Sequence, residues 1–221
     1  MLGAAIYGYG RMGHEIENVI NGTEGIRVAS VIDISGEISN GSPDIVIEFA
    51  TADSHDGALA YALERGIPLV CGTTGLSDDQ MNAMKAASAK IPVLYSSNYS
   101  YGIYTMRKLL KLACSLLSEE DWDAEVVEAH HKKKLDAPSG TAKTLIEDMG
   151  GSDRISGVHA LRGGTEAGRH AVTFFGDNEQ ITIEHHAQSR RIFATGAVKA
   201  ALNMKTSPGF YSLDDILQPA D

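Results

Sequence analysis

The sequence predicts an α/β protein: a Rossmann-type parallel-sheet domain followed by an α+β domain with a partly open mixed sheet. Three observations predict it. The first hundred residues alternate short apolar runs with amphipathic stretches, the pattern of parallel strands joined by crossover helices. The first apolar run leads straight into Gly8-Tyr9-Gly10-Arg11-Met12-Gly13, a glycine loop between a strand and a helix. Beyond Asp123 the apolar period falls to two, with Val172 and Phe174, then Ile181 and Ile183 around Thr182, which suits a sheet with one packed face and one open face.

The elements follow in order. Strands are expected at 2–6, 27–33, 44–49, 68–71 and 92–95, with helices at 11–21, 54–64 and 78–88. Segment 34–43 is only ten residues long and rich in Gly and Ser. It is too short for a helix and two loops, so a clipped connection is expected there. Ile103, Met106, Leu109, Leu110, Ala113, Leu116 and Leu117 recur at helical spacing and predict a long amphipathic helix. Further helices are expected at 141–149 and 192–204.

Composition narrows the function classes. The chain has 221 residues, 43% of them hydrophobic and 22% charged, as in globular proteins with a sizeable core. No run approaches the ~18 apolar residues of a membrane helix. Residues 1–13 carry no basic n-region, so a signal peptide is not expected. A net charge of −10 disfavours nucleic-acid and membrane partners. Two cysteines, Cys71 and Cys114, read as buried free thiols of a cytoplasmic protein. Within this acidic chain the run from His130 to Lys134 is a local cationic cluster, pointing to a small anionic ligand.

In the glycine loop, Gly8, Gly10 and Gly13 permit a tight turn, close approach of a pyrophosphate, and close packing of helix on strand. The helix N-terminus then favours the phosphate charge. Asp33 ends the next strand, placed to accept ribose hydroxyls. No arginine follows it in Ile34-Ser35-Gly36 to receive a 2′-phosphate, so NADH is the expected cofactor, with NADPH second. The loop Gly72-Thr73-Thr74-Gly75 follows a strand, where open sheets bind ligands, and its backbone and hydroxyls suit a nicotinamide amide.

His130 and His131 are neighbours at a strand end and point opposite ways, which makes them poor co-ligands, so no metal is expected. A histidine titrates near neutrality and can donate a proton to a developing carbanion. Ser139 reads as an N-cap, with Gly140 and Thr141 opening a helix whose N–H groups suit a carboxylate. Lys134 adds a point charge beside them. His185 and His186, with Arg190 and Arg191, form a second basic cluster, on the sheet face or toward a ligand. Arg162-Gly163-Gly164 reads as a mobile loop.

These residues resemble the 4-hydroxy-tetrahydrodipicolinate reductase (dihydrodipicolinate reductase) family of the diaminopimelate–lysine pathway. The resemblance rests on Gly8 to Gly13, Gly72 to Gly75, Ser97 to Gly102, Glu128 to Thr141 and Phe193 to Ala197. It implies that His130 is the proton donor and Lys134 the second catalytic residue, which also meets a substrate carboxylate. It implies substrate contacts at His131, Gly140 and Thr141, beside Ser139. It further implies cofactor contacts at Tyr9, Arg11, Met12, Gly72, Thr73 and Thr74, and at Ser96, Ser97, Asn98 and Tyr99; Arg190 matches an arginine near the substrate. A homotetramer built through the open sheet is implied as well, with 1–98 and 191–221 as the dinucleotide-binding domain and 99–190 as the substrate-binding and oligomerisation domain. Two departures stand out. Glu48-Phe49-Ala50 replaces the usual Asp-Phe-Thr, and the short 34–43 connection leaves less protein around the adenosine.

The resulting expectation is a reductase that delivers hydride from NAD(P)H to a cyclic unsaturated dicarboxylate. Two alternatives share parts of the pattern: another two-domain NAD-dependent dehydrogenase of a small acid or sugar, and a non-catalytic NAD(H) sensor.

Overall fold

The computed structural model describes residues 1–217, which form two compact units: Met1–Tyr99 with Arg191 onward, and Ser100–Arg190. The first unit runs β1 (Leu2–Tyr7), α1 (Arg11–Asn21), β2 (Ile26–Asp33), β3 (Gly36–Ser39), β4 (Ile45–Glu48), α2 (Ala52–Arg65), β5 (Leu69–Cys71), α3 (Asp78–Ala87) and β6 (Pro92–Tyr95). The second holds α4 (Tyr101–Leu116), β7 (Asp123–His130), α5 (Gly140–Asp148), β8 (Ile155–Arg162), β9 (Arg169–Phe175) and β10 (Gln180–His186). The chain then returns to the first unit with α6 (Arg191–Leu202), β11 (Gly209–Tyr211) and α7 (Leu213–Ile216).

The first unit is built on a seven-stranded sheet of order β11-β6-β5-β4-β1-β2-β3, parallel except at β3. Residues Ile45, Val46 and Ile47 of β4 and Leu69, Val70 and Cys71 of β5 are fully buried. Such unbroken apolar runs mark central parallel strands covered on both faces. Helix α1 packs against α6, and α2 against α3. Strand order reverses between β1 and β4, and the carboxyl ends of these strands are where an open α/β sheet receives ligands.

Segment 34–43 contains no helix, but it is more than a clipped connection. It forms β3, paired antiparallel with β2 so that Val31 lies opposite Ile38. The free edge of β2 offers unpaired N–H and C=O groups, and a hairpin satisfies them without a crossover. Strand β11 was not expected from the sequence, because three residues, Gly209–Tyr211, are too few to show a period.

The second unit is a mixed sheet of order β10-β9-β7-β8, with β7 and β8 parallel and the other pairs antiparallel. Its core joins Ala124, Val126, Val172 and Phe174 of the sheet to Ile103, Met106 and Leu110 of α4 and Ala142 and Leu145 of α5. Register extends this same face toward one end. Glu128 lies opposite His170, His130 opposite Arg162, and His170 opposite His185. One face of the sheet is therefore apolar at one end and ionisable at the other. The other face carries Thr173 and Thr182, which lie opposite each other with hydroxyls 3.0 Å apart.

Candidate active site

A candidate nucleotide site lies in the first unit, at the β1–α1 turn. Gly8 has φ +93°, and a Cβ there would lie 2.6 Å from the Phe49 carbonyl oxygen. A Cβ on Gly13 would lie 2.3 Å from the Gly8 carbonyl oxygen, so helix and turn meet backbone to backbone. Gly10, by contrast, faces open space, and as N-cap of α1 it makes no side-chain cap. No acidic residue occupies the first turn of α1. Two glycines forced by packing and a third facing outward at a helix N-terminus make a cradle that fits a pyrophosphate. The Tyr9 hydroxyl donates to Glu17, and its ring packs on His14 at 4.0 Å, so this side chain folds along α1 beside the exposed Arg11 and half-buried Met12. Asp33 is exposed at the end of β2 and accepts from the Ile34 amide at 2.7 Å.

The 72–75 loop corrects one expectation. Thr73 is buried, its hydroxyl donating to Glu48 Oε1 at 2.8 Å and accepting from the Ala50 amide at 3.0 Å. That hydroxyl is spent inside the protein, leaving backbone and Thr74 as the loop's outward groups. Tyr99 is buried likewise, its hydroxyl donating to the Cys71 carbonyl at 2.9 Å. Ser96 Oγ donates to the Asn98 carbonyl and accepts from the Asn98 amide, closing a turn beside the exposed Ser97. Cys71 is buried, whereas Cys114 is only partly so, because α4 leaves that face half open.

An ionisable cluster lies at the end of the second unit's sheet. Glu128 is fully buried and is met from three sides. Arg162 grips it with two N–H groups at 2.8 and 2.6 Å, the Ser139 amide donates at 3.0 Å, and His130 Nδ1 lies 2.5 Å from Oε2. Burial pushes the Glu128 carboxyl up, but the hydrogen bonds from Arg162 and His130 outweigh it and hold the group below the usual range. A carboxylate on Nδ1 fixes the tautomer and presents Nε2 as the working nitrogen. Gly168 keeps that side clear, since a Cβ there would come within 3.2 Å of His130 Nε2. Burial lowers the His130 pKa against the pull of Glu128, and Lys134 and Arg162 lower it further.

Arg162 was expected in a mobile loop. It instead ends β8, and its Nη2 also donates to the Asp136 carbonyl at 2.6 Å, fixing the segment between β7 and α5. Lys134 Nζ lies 2.9 Å from Asp136 Oδ1. Lys134, helped by the Gly140 amide at the start of α5, holds the Asp136 carboxyl below its usual range. A lysine and a helix-start amide thus already hold a carboxylate. Ser139 is the N-cap as expected; its Oγ accepts from the Ala142 amide and is hydrogen-bonded to His170 Nε2, 3.1 Å away. His131 follows the strand end, half-buried, and Thr141 lies in the first turn of α5. His185 is turned inward to Ser100 Oγ at 3.2 Å, His186 pairs with Glu166 at 3.1 Å, and Arg190 is exposed.

A family model described as "Dihydrodipicolinate reductase, N-terminus" matches residues 2–99, and one described as "Dihydrodipicolinate reductase, C-terminus" matches residues 102–217. The chain belongs to the dihydrodipicolinate reductase family. It is 35% identical to a protein from Exiguobacterium sp. named 4-hydroxy-tetrahydrodipicolinate reductase, over 97% of this chain and 95% of that one. It is 37% identical to a protein of the same name from Alkaliphilus oremlandii, over 96% and 97%. The dipicolinate-bound dihydrodipicolinate reductase from Paenisporosarcina sp. TG-14 has the same fold, with a TM-score of 0.80 at 21% identity, covering 98% of this chain and all of that one. As in other dihydrodipicolinate reductases, the cofactor is a pyridine nucleotide. Sequence reasoning about this reductase missed Arg162 and His170 as parts of the candidate site, and quoted Glu128 without giving it a role. The signal lay in strand register, since Glu128, His170 and Arg162 share a face only once β7, β8 and β9 are paired.

Proposed function

We propose that this protein reduces 4-hydroxy-tetrahydrodipicolinate to tetrahydrodipicolinate, the hydride and a proton being added and the 4-hydroxyl leaving as water, in lysine and diaminopimelate biosynthesis, preferring NADH, as a cytoplasmic homotetramer. The observation that carries the chemistry is the His130–Glu128–Arg162 arrangement beside a lysine and helix start that hold a carboxylate. When bound, NAD(P)H supplies the hydride.

The residues of the chain do the rest. The cradle at Gly8, Gly10 and Gly13 takes the pyrophosphate, Asp33 the ribose hydroxyls, and the backbone of 72–74 and 96–99 the nicotinamide end. Lys134, with Gly140 and Thr141, takes a substrate carboxylate in place of Asp136, and this fixed charge stabilises the negative charge that grows on the substrate. His130 Nε2, directly or through a water, delivers the proton; its lowered pKa makes the imidazolium a stronger acid. His131 and Ser139 border the substrate. The dipicolinate bound by the Paenisporosarcina relative supports a small cyclic dicarboxylate. Asp33 supports NADH, because a carboxylate there repels a 2′-phosphate. The uncovered face of the second sheet supports assembly through that face.

The test is oxidation of NADH or NADPH followed at 340 nm, with the substrate made in situ from pyruvate and aspartate semialdehyde by the preceding synthase. Turnover that depends on the synthase is expected. Nucleotide binding without turnover on this substrate would overturn the assignment, and turnover of another small acid or sugar would transfer it to a different dehydrogenase.

A further inference from the structure

Beneath the nucleotide-binding turn lies a fully buried polar cluster that the chemistry above does not use. Glu48, the last residue of β4, has no exposure, and neither has His55 in α2. His55 Nδ1 lies 3.0 Å from each carboxylate oxygen of Glu48. Burial alone lowers a histidine pKa, yet the hydrogen bond and charge of Glu48 outweigh it and raise that of His55. Cys71 Sγ sits 3.9 Å from the same nitrogen. Glu48, His55 and Cys71 thus bring potential ligand atoms within 4.8 Å of one another, a grouping that sequence spacing did not show. Here the Glu48 oxygens are already engaged by His55 and Thr73.

What surrounds the pair gives it a direction. Glu48 pairs in register with Tyr7 of β1 and Cys71 of β5, so it stands where three strand ends open toward the nucleotide cradle. Its carbonyl oxygen accepts from the Gly72 amide at 2.8 Å, and its carboxylate accepts the Thr73 hydroxyl. Thr73 Oγ1 in turn accepts from the Ala50 amide. Ala50 packs on Gly8 so closely that a Cβ on Gly8 would lie 2.9 Å from its Cα. The Phe49 ring leaves a Cβ on Gly72 only 2.3 Å. The glycine turn, the 49–51 segment and the 72–75 loop are therefore linked through one side chain. A buried polar pair contributes little net stability compared with apolar residues of the same volume; what it adds is direction.

We infer that Glu48, held in place by His55, is a positioning residue that sets the 72–74 loop relative to the glycine turn through the Thr73 hydroxyl, and so tunes recognition of the nicotinamide end of the cofactor. This rests on assigning that loop to the nicotinamide, as above. Removing one link should then weaken NADH binding and leave ADP-ribose, which lacks only the nicotinamide, bound as before.

The experiment titrates purified wild-type, Thr73→Val, Thr73→Ser, Glu48→Gln and Thr73→Val/Glu48→Gln proteins with NADH and with ADP-ribose. Thr73→Val keeps the buried shape and removes the hydroxyl. It should raise the NADH Kd about tenfold, the worth of one hydrogen bond to a charged group, with ADP-ribose unaffected. Thr73→Ser should restore wild-type binding, and the double variant should be no worse than the poorer single one, because both break the same chain of contacts. A loss shared equally by NADH and ADP-ribose would mean a general structural role and would overturn the inference. So would unchanged NADH binding in Thr73→Val, or additive losses in the double variant. If Glu48→Gln does not fold, the comparison of Thr73→Val with Thr73→Ser decides alone. A wild-type protein that binds NADH but fails the coupled assay overturns the reaction proposed above while this ratio still stands. Wild-type protein that binds neither nucleotide overturns both.

Discussion

Arg162 holds Glu128 with two parallel N–H donors, Nη1 to Oε2 at 2.8 Å and Nη2 to Oε1 at 2.6 Å, and Glu128 is fully buried. This fork ties the end of β8 to β7 and leaves Oε2 shared with His130 Nδ1. The guanidinium neutralises the carboxylate that orients the proposed acid, and its own charge helps to keep the His130 pKa low. Arg162→Gln should therefore act through His130. Loss of a neighbouring cation raises the pKa of an imidazole, so the limb on which kcat/KM falls with rising pH should move to higher pH. kcat should fall about tenfold as the histidine loses its fixed orientation. A pH–rate profile that keeps its wild-type limb would show that Arg162 does not govern His130.

The proposed roles of His130 and Lys134 separate kinetically. His130→Ala should lower kcat by ~10²–10⁴ with little change in KM, as for loss of a general acid. Lys134→Ala should raise KM and lower kcat together, because one ammonium serves both ground-state binding and the developing charge. Steady-state kinetics in the synthase-coupled assay distinguishes the two patterns. Equal effects of both substitutions on KM alone would reduce the cluster to a binding site.

Where the fold was legible, the signal was local. Helix α1 spans Arg11–Asn21 as its glycine turn and apolar spacing require, and Ser139 caps α5 as an N-cap serine before a helical run should. Of the candidate site, only the contiguous part from His130 to Thr141 was legible. Arg162 was misread because Gly163 and Gly164 signal a loop, and a strand-ending arginine gains its meaning from a carboxylate 34 positions away. Thr73 was misread in another way. A Gly-Thr-Thr-Gly turn shows hydroxyls but not their direction, and the direction is set by Glu48 on a neighbouring strand. Gly196 illustrates the same point, since a Cβ there would lie 1.7 Å from the Tyr99 carbonyl oxygen, a constraint that no local pattern displays.

Asp33 stands exposed at the end of β2, and the following residues up to β3 supply no arginine. A carboxylate at this place accepts ribose hydroxyls and repels a phosphate. Wild-type kcat/KM should favour NADH over NADPH, and Asp33→Ser should lower that ratio about tenfold by removing both effects. Parallel initial-rate measurements with the two nucleotides provide the check. A wild-type preference for NADPH would show that the 34–43 hairpin offers the 2′-phosphate a partner that outweighs Asp33.

His170 makes stability depend on pH in a defined direction. It is buried between Ser139 and the His130 ring, with ring centroids 5.1 Å apart. Burial, aided by His130, His185 and Lys134 against the opposing pull of Glu128, lowers its pKa to about 4. Above pH 6.5 the ring is neutral whether the chain is folded or unfolded, and folding loses nothing. Between 6.5 and about 4 the unfolded chain binds a proton that the folded chain refuses, so stability falls as pH drops through this window. The loss amounts to on the order of 3 kcal/mol once the pH lies below about 4. His130, whose pKa is also lowered, adds a loss of the same sign. His170→Gln keeps a hydrogen-bonding group beside the Ser139 hydroxyl but cannot titrate, so its stability should decline less steeply over the same window. Urea unfolding at intervals from pH 8 to about pH 4 measures the difference. If the two proteins lose stability in parallel, His170 is not the group that couples protonation to folding.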